Sequence, residues 1–139
     1  MIDSLNIGQV IYYFLHSDSN INTLVSDKIY PLVANLKNDT TQSLSDLLPF
    51  IIYSRDGLST NGCKDGFYQN NVDFSIKVIT KTYSQGITIA NYVRSIFEGK
   101  TLTYNNITIS DTILTNAFEE YNDNYSAFVQ TIRFNTKIS

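Results

Sequence analysis

The sequence predicts an α+β domain, an antiparallel sheet of about five strands with two principal helices packed on one face. Three observations carry that prediction. Residues 72–78, Val-Asp-Phe-Ser-Ile-Lys-Val, alternate apolar and polar without a fault, so Val72, Phe74, Ile76 and Val78 share one face of a strand and Asp73, Ser75 and Lys77 take the other. Soon after, the period changes: Ile89, Val93, Ile96 and Phe97, with Ala90 beside them, mark one stripe of a helix. Near the N-terminus Ile7, Val10, Ile11, Phe14 and Leu15 form a second stripe of the same kind. Each element has one apolar side that must find a partner, and one sheet face covered by both helices satisfies all three.

The chain in order fills in this plan. Ser4 or Asn6 is placed to cap the first helix, while Tyr12 and Tyr13 flank its stripe and cannot both lie under one face. Asp18-Ser19-Asn20 breaks that helix and can cap a short second turn over residues 21–25. Residues 28–33 follow, and Pro31 removes a backbone donor, which makes them an edge strand or an extended lead-in. Residues 35–46 are rich in Asn, Asp, Ser and Thr and read as a long exposed loop.

Pro49-Phe50-Ile51-Ile52-Tyr53-Ser54-Arg55 is the next strand, covered on both faces at its centre, with Asp56-Gly57 as its expected end. A glycine-containing connection over residues 58–68 leads to the strand at Asn71, and the two strands are most simply an antiparallel pair. After the central helix, Glu98-Gly99-Lys100 supplies a stop. Residues 101–104 and 107–109 form short β segments around the turn Asn105-Asn106, and residues 112–121 continue as a strand interrupted by polar residues. A turn at residues 122–124 precedes a long closing strand over 125–138, with Phe128, Ile132 and Phe134 on one face and Val129, Thr131 and Arg133 on the other.

Length and composition fit one domain spanning residues 1–139: the hydrophobic share of 42% against 17% charged excludes a disordered chain. The formal net charge is −3 and Lys and Arg form no run, which disfavours tight binding of nucleic acid and leaves open a smooth surface past which DNA slides. Cys63 is the sole cysteine, so no internal disulfide is possible and no Cys-based metal site is expected. Residues 1–9 lack a basic segment followed by an apolar core, and no apolar run approaches the ~20 residues that cross a bilayer. A soluble protein made inside the cell is the expectation. Glycosylation-type triplets begin at Asn38, Asn106 and Asn124, as chance produces in a chain so rich in Asn, Ser and Thr.

Catalytic chemistry is not legible. His16, the only histidine, sits at the end of the first helix, where it complements the helix dipole; no nucleophile or carboxylate partner is apparent for it. Cys63 beside Lys64 lacks a matching His or second Cys. Glu119 and Glu120 are adjacent, and on a strand they point to opposite faces. The glycines around Gly62 lack phosphate-loop spacing. No enzyme, cofactor or metal is expected. What remains is surface: Tyr12, Tyr13, Tyr68, Tyr83, Tyr92 and Tyr104 exceed what one small core buries, and Tyr is favoured in protein interfaces. The connection over residues 58–68, with Arg55, Lys64, Phe67 and Tyr68, is the expected contact element.

Three segments taken together resemble a known family. They are Leu24-Val25-Ser26-Asp27-Lys28-Ile29-Tyr30-Pro31 after an N-terminal helix, Leu48-Pro49-Phe50-Ile51-Ile52-Tyr53, and the Val-x-Phe-x-Ile-x-Val strand followed by Thr82-Tyr83-Ser84 and a helix containing Ala90. Their order is similar to that of the tail completion proteins of long-tailed phages, also called tail terminators or tail-to-head joining proteins. The resemblance spans nearly the whole chain, and the sequence departs from the family pattern in its longer polar loop at residues 35–46.

The resemblance implies a virion protein of a phage or prophage, made in the bacterial host cytoplasm. It assembles as a ring, usually six-membered, on the head-proximal end of the tail tube, ends tube polymerisation and meets the head connector. Its partners would be further copies of itself, the tail tube protein and the connector or stopper protein, with DNA only as passing cargo and no membrane. The family implies no catalytic residue. The competing readings are another connector or minor tail protein, and a monomeric α+β domain holding a small ligand between sheet and helices.

Overall fold

The computed structural model describes residues 4–32, 48–62, 68–123 and 126–139. A 3-10 turn at Ser4–Asn6 leads into α1 (Ile7–Ser17), followed by α2 (Ser19–Val25), β1 (Ile29–Pro31), β2 (Phe50–Gly62), β3 (Tyr68–Thr80), α3 (Tyr83–Phe97), β4 (Leu102–Tyr104), β5 (Ile107–Asn122) and β6 (Ala127–Ile138). The strands form one sheet in the order β1-β2-β3-β6-β5-β4.

The core is the one the periodicities imply. Val72, Phe74, Ile76 and Val78 are wholly buried, and against them pack Ile7, Val10, Ile11 and Leu15 of α1, Ile21 and Val25 of α2, and Ile89, Val93 and Phe97 of α3. Each such side chain contributes roughly 1.5–3 kcal/mol by leaving water. Phe74 is the centre of the layer: its ring stacks on Phe134 at 5.3 Å and meets Phe97 edge-on at 5.6 Å. Phe134 lies directly opposite Phe74 in the β3–β6 ladder. The other face of the sheet carries a smaller apolar cluster, Phe50, Ile79, Ala127 and Val129, so β2 is covered on both sides at its start as its apolar run requires.

Four expectations change. The described residues form six strands and not about five, and the sheet is not wholly antiparallel: β1 runs parallel to β2, with Ile29 opposite Ile51 and Pro31 opposite Tyr53. Residues 32–49 separate the two strands, a connection long enough for the crossover that parallel neighbours need. Pro31 stands on the sheet's outer strand, where its missing donor costs no ladder bond.

Second, the two principal helices are joined by a third, because the short turn expected after Asp18 is a helix in its own right. The Asp18 carboxylate accepts the Ile21 amide at 3.0 Å, and Ser26, with φ of 53°, closes the helix by donating its amide to the Asn22 carbonyl at 2.8 Å.

Third, Asp56-Gly57 bends β2 without ending it. The pairing with β3 shifts register between Arg55 and Gly57 and then continues to Gly62 opposite Tyr68. The Asp56 carboxylate accepts from the Ser54 and Ser75 hydroxyls at 3.0 and 3.2 Å, which holds the bulge.

Fourth, residues 107–109 and 112–121 belong to one strand, β5, with irregularities between Ser110 and Ile113 and between Leu114 and Asn116. The first is built around Asp111, at φ of 51°. Buried Thr112 shares a 2.8 Å bond between hydroxyls with Thr136, and its carbonyl accepts the Gly99 amide at 2.8 Å, so the bulge ties α3 to the sheet. The Asn105-Asn106 turn forms as expected, both residues having positive φ.

Candidate interaction surface

The sheet's edges follow from strand lengths. β1 pairs only with Ile51, Ile52 and Tyr53 of β2, and β4 pairs only with Ile107, Thr108 and Ile109 of β5. The rest of β2 on one edge, and of β5 on the other, has a single neighbouring strand among the described residues. A strand in that position presents unpaired amides and carbonyls, and natural edges are usually blunted by Pro, Lys or bulges. In β5 the irregularities end at Asn116; from there to Asn122 the pairing with β6 is regular. That stretch contains no Pro, Lys or Arg.

β5 also carries much of the exposed apolar surface: Ile113 is 57%, Phe118 39% and Tyr121 51% exposed. Phe118 lies beneath the Arg133 guanidinium, 5.2 Å from ring centroid to cation, on the face away from the helices. On the helix side Tyr121 and Tyr83 both meet the Phe128 ring edge-on, at 5.0 and 5.8 Å. The Tyr83 hydroxyl donates to the Glu119 carboxylate at 2.8 Å and the Gln130 amide donates to it at 2.9 Å. These bonds, the Gln130 one foremost, hold the Glu119 carboxyl below the usual carboxylate range, while the bond to Glu119 raises the Tyr83 hydroxyl. Together these residues line a shallow hollow of about 250 Å³.

A wider open groove of about 640 Å³ crosses the helix-free face, lined by Leu32, Ser54, Arg55, Asp56, Asp73, Thr115 and Arg133. Its polar groups largely satisfy one another: Asp56 holds two serine hydroxyls and Asp73 accepts from the Asn135 amide at 2.8 Å. Among the described residues no group of three or more His, Cys, Asp or Glu side chains is arranged to hold a metal ion, and no helix is long and apolar enough to cross a membrane.

Of the residues expected to make contacts, Arg55 is exposed at the β2 bulge. Its guanidinium donates to the Leu5 carbonyl at 2.9 Å, fastening the start of α1 to β2. Lys64 and Phe67 lie outside the described residues, as do Cys63, the loop at 35–46 and the Tyr68 side chain; the Tyr68 backbone opens β3. Of this set only the Arg55 side chain lies among the described residues. Glu119 and Glu120 point to opposite faces as alternation requires, Glu119 lying opposite Gln130 and Glu120 opposite Val129.

Two features escaped the sequence reading. His16 does have a carboxylate: its Nδ1 lies 2.6 Å from Asp27 Oδ1, which also accepts the Tyr12 hydroxyl at 3.3 Å. The left-handed Ser26-Asp27 turn, φ of 53° and 60°, swings Asp27 back toward α1, and no periodicity signals that. The exposed β5 edge was likewise hidden, because polar residues at 115, 116, 119 and 120 blur its alternation.

No protein-family model matches the chain, and no curated protein matches it. Among solved structures it is similar to a chain of the virion of a native gene transfer agent particle, with a TM-score of 0.74 and 16% identity over 94% of this chain and 92% of that one. A second solved chain is similar with a TM-score of 0.60 and 8% identity, covering 98% of this chain and 92% of the other. At these identities the likeness establishes a shared fold: the helices-on-one-face sheet described above is that of a polypeptide found in the gene transfer agent virion.

Proposed function

We propose that this chain is a structural subunit of a phage or phage-like particle, a tail completion protein that caps the head-proximal end of the tail tube. It would end tube growth and join tail to head connector. The observation that carries the reading is the fold shared along almost the whole chain with a virion-particle polypeptide, and the order of the three resembling segments favours the tail position. In this role the protein works as a ring of identical copies, six in the family it resembles, in contact with the tube protein on one side and the connector on the other. Its acidic balance, with net charge −3, keeps the passage open to DNA without trapping it. A subunit of this kind acts by assembly and has no catalytic step.

The test is tube capping. Tail tube protein polymerised with the purified chain should give tubes bearing a ring at one end by negative-stain microscopy and no longer elongating. Tubes that keep growing and bear no ring would overturn the reading.

A further inference from the structure

We propose that copies of this chain join head to tail through their sheet edges, Asn116 to Tyr121 of β5 in one copy pairing with residues 57–61 of β2 in the next, each stretch having a single neighbouring strand among the described residues. The inference rests on the reading of the chain as a ring subunit and names the contact that would build it.

The topology sets the direction. β2 is antiparallel to β3, β3 to β6 and β6 to β5, so β5 runs opposite to β2 within one copy. A neighbour in the same orientation therefore offers its β2 antiparallel to this β5. Because the ladders put Asn116 level with Ser54 and Gly57 level with Ile113, the neighbour is staggered along the strands by roughly seven residues, about 22 Å. The joint is heterologous, because the two surfaces are different edges of the molecule, and repetition of one rotation closes a ring.

The second candidate occupant of the β5 edge is another β5. Charge argues against it. From Asn116 to Tyr121 the strand carries Glu119 and Glu120 and no basic residue, so self-pairing crowds four carboxylates along one seam, directly opposite one another when centred on either glutamate, and like charges there are destabilising. On β2, residues 57–61 are Gly, Leu, Ser, Thr and Asn, uncharged throughout, and Leu58 adds an exposed apolar side chain. The β5 edge thus meets a neutral strand in the next copy.

Cysteine cross-linking tests this in the full chain with Cys63→Ser as background. Ala117→Cys and Tyr121→Cys mark β5; Leu58→Cys and Thr60→Cys mark β2; all four positions are on the helix-covered side, by their pairing with Ile132, Phe128, Val72 and Asn70. Each β5 variant is mixed with each β2 variant at a concentration where light scattering detects oligomer, or on tail tubes where it does not. Disulfides between β5 and β2 chains are expected, and a chain with both cysteines should give a ladder ending at the ring number. Disulfides of β5 variants with themselves would overturn the proposal in favour of two-fold pairing. Oligomers or capped tubes with no cross-link would overturn the edge contact and leave the ring reading standing. A monomer that neither cross-links nor caps tubes would sink both. Phe118→Lys puts a cation on the edge strand and should abolish assembly. Because it also removes the ring beneath Arg133, Phe118→Leu, which loses that contact without adding charge, is the control and should assemble; unimpaired assembly of the lysine variant would count against the joint.

Discussion

Gly86 offers a sharp test of how α3 sits on the sheet. It is buried in the first turns of the helix, and a Cβ added there would lie 2.9 Å from Thr80 Oγ1 and 3.4 Å from Gln130 Cγ. The first distance is too short for any side chain to occupy without movement. Thr80 cannot easily yield, because it is wholly buried and its hydroxyl donates to the Thr82 carbonyl at 2.7 Å, at the residue that caps the helix. In a free helix Gly→Ala stabilises by about 1 kcal/mol. Overpacking a tight contact costs about 1–3 kcal/mol. Gly86→Ala should therefore destabilise the protein by about 1 kcal/mol, against the helix propensity. Thr80→Ala removes the obstructing hydroxyl and methyl, and in that background Gly86→Ala should stabilise by about 0.5–1 kcal/mol. The assay is urea unfolding of the four proteins of the cycle, with unchanged m values, giving a coupling energy of about 1–3 kcal/mol. A Gly86→Ala that stabilises equally in both backgrounds would refute the close approach of α3 to β3.

Other expectations follow from single contacts. The Thr131 hydroxyl is buried with no hydrogen-bond partner among the described residues, so the isosteric Thr131→Val should raise stability by about 1 kcal/mol in urea unfolding. Asp18→Ala removes the α2 cap and should cost about 1 kcal/mol, measured by the same unfolding curve, with Asp18→Asn recovering most of it. Phe74→Ala, in the middle of the aromatic layer, should cost about 3–5 kcal/mol; Phe74→Asp should give no folded protein by circular dichroism, and a folded variant with only an assembly defect would contradict its place in the core. Because Glu119 is held low by Gln130 and then Tyr83, its folded value lies below the unfolded one, so its contribution is present above the ordinary carboxylate range and is lost as pH falls through the folded value. Tyr83→Phe should move the Glu119 titration upward toward the ordinary range, read by carboxyl NMR shifts; an unmoved midpoint would remove the hydroxyl from the network.

The parts of this protein that are local were legible in its residues. Period-two alternation from Val72 to Val78 and the three-and-four spacing of α1 and α3 report which side of each element must be dry, and the structure buries those sides. The Asn105-Asn106 turn and the edge position of Pro31 rest on the φ and donor requirements of single residues. The long alternating run of β6 similarly assigned Phe134 to the core and Arg133 to the open face.

What depends on separated parts of the chain was decided only by the tertiary fold. Whether Asp56-Gly57 ends β2 or bends it turns on Ser75, a residue on the next strand, being there to hold the Asp56 carboxylate. The same holds for β5, whose irregular first half is kept in one strand by Thr136 of β6 and Gly99 after α3. His16 and Asp27 meet through a turn whose left-handed residues are neither Gly nor Asn. Among the described residues, the single-neighbour stretches of β2 and β5 are products of strand order, since β1 and β4 each pair with only three residues of their neighbours. A residue's own chemistry dictates which face it turns inward; which strand lies beside it depends on residues far along the chain, and that is why the strand order had to come from the tertiary fold.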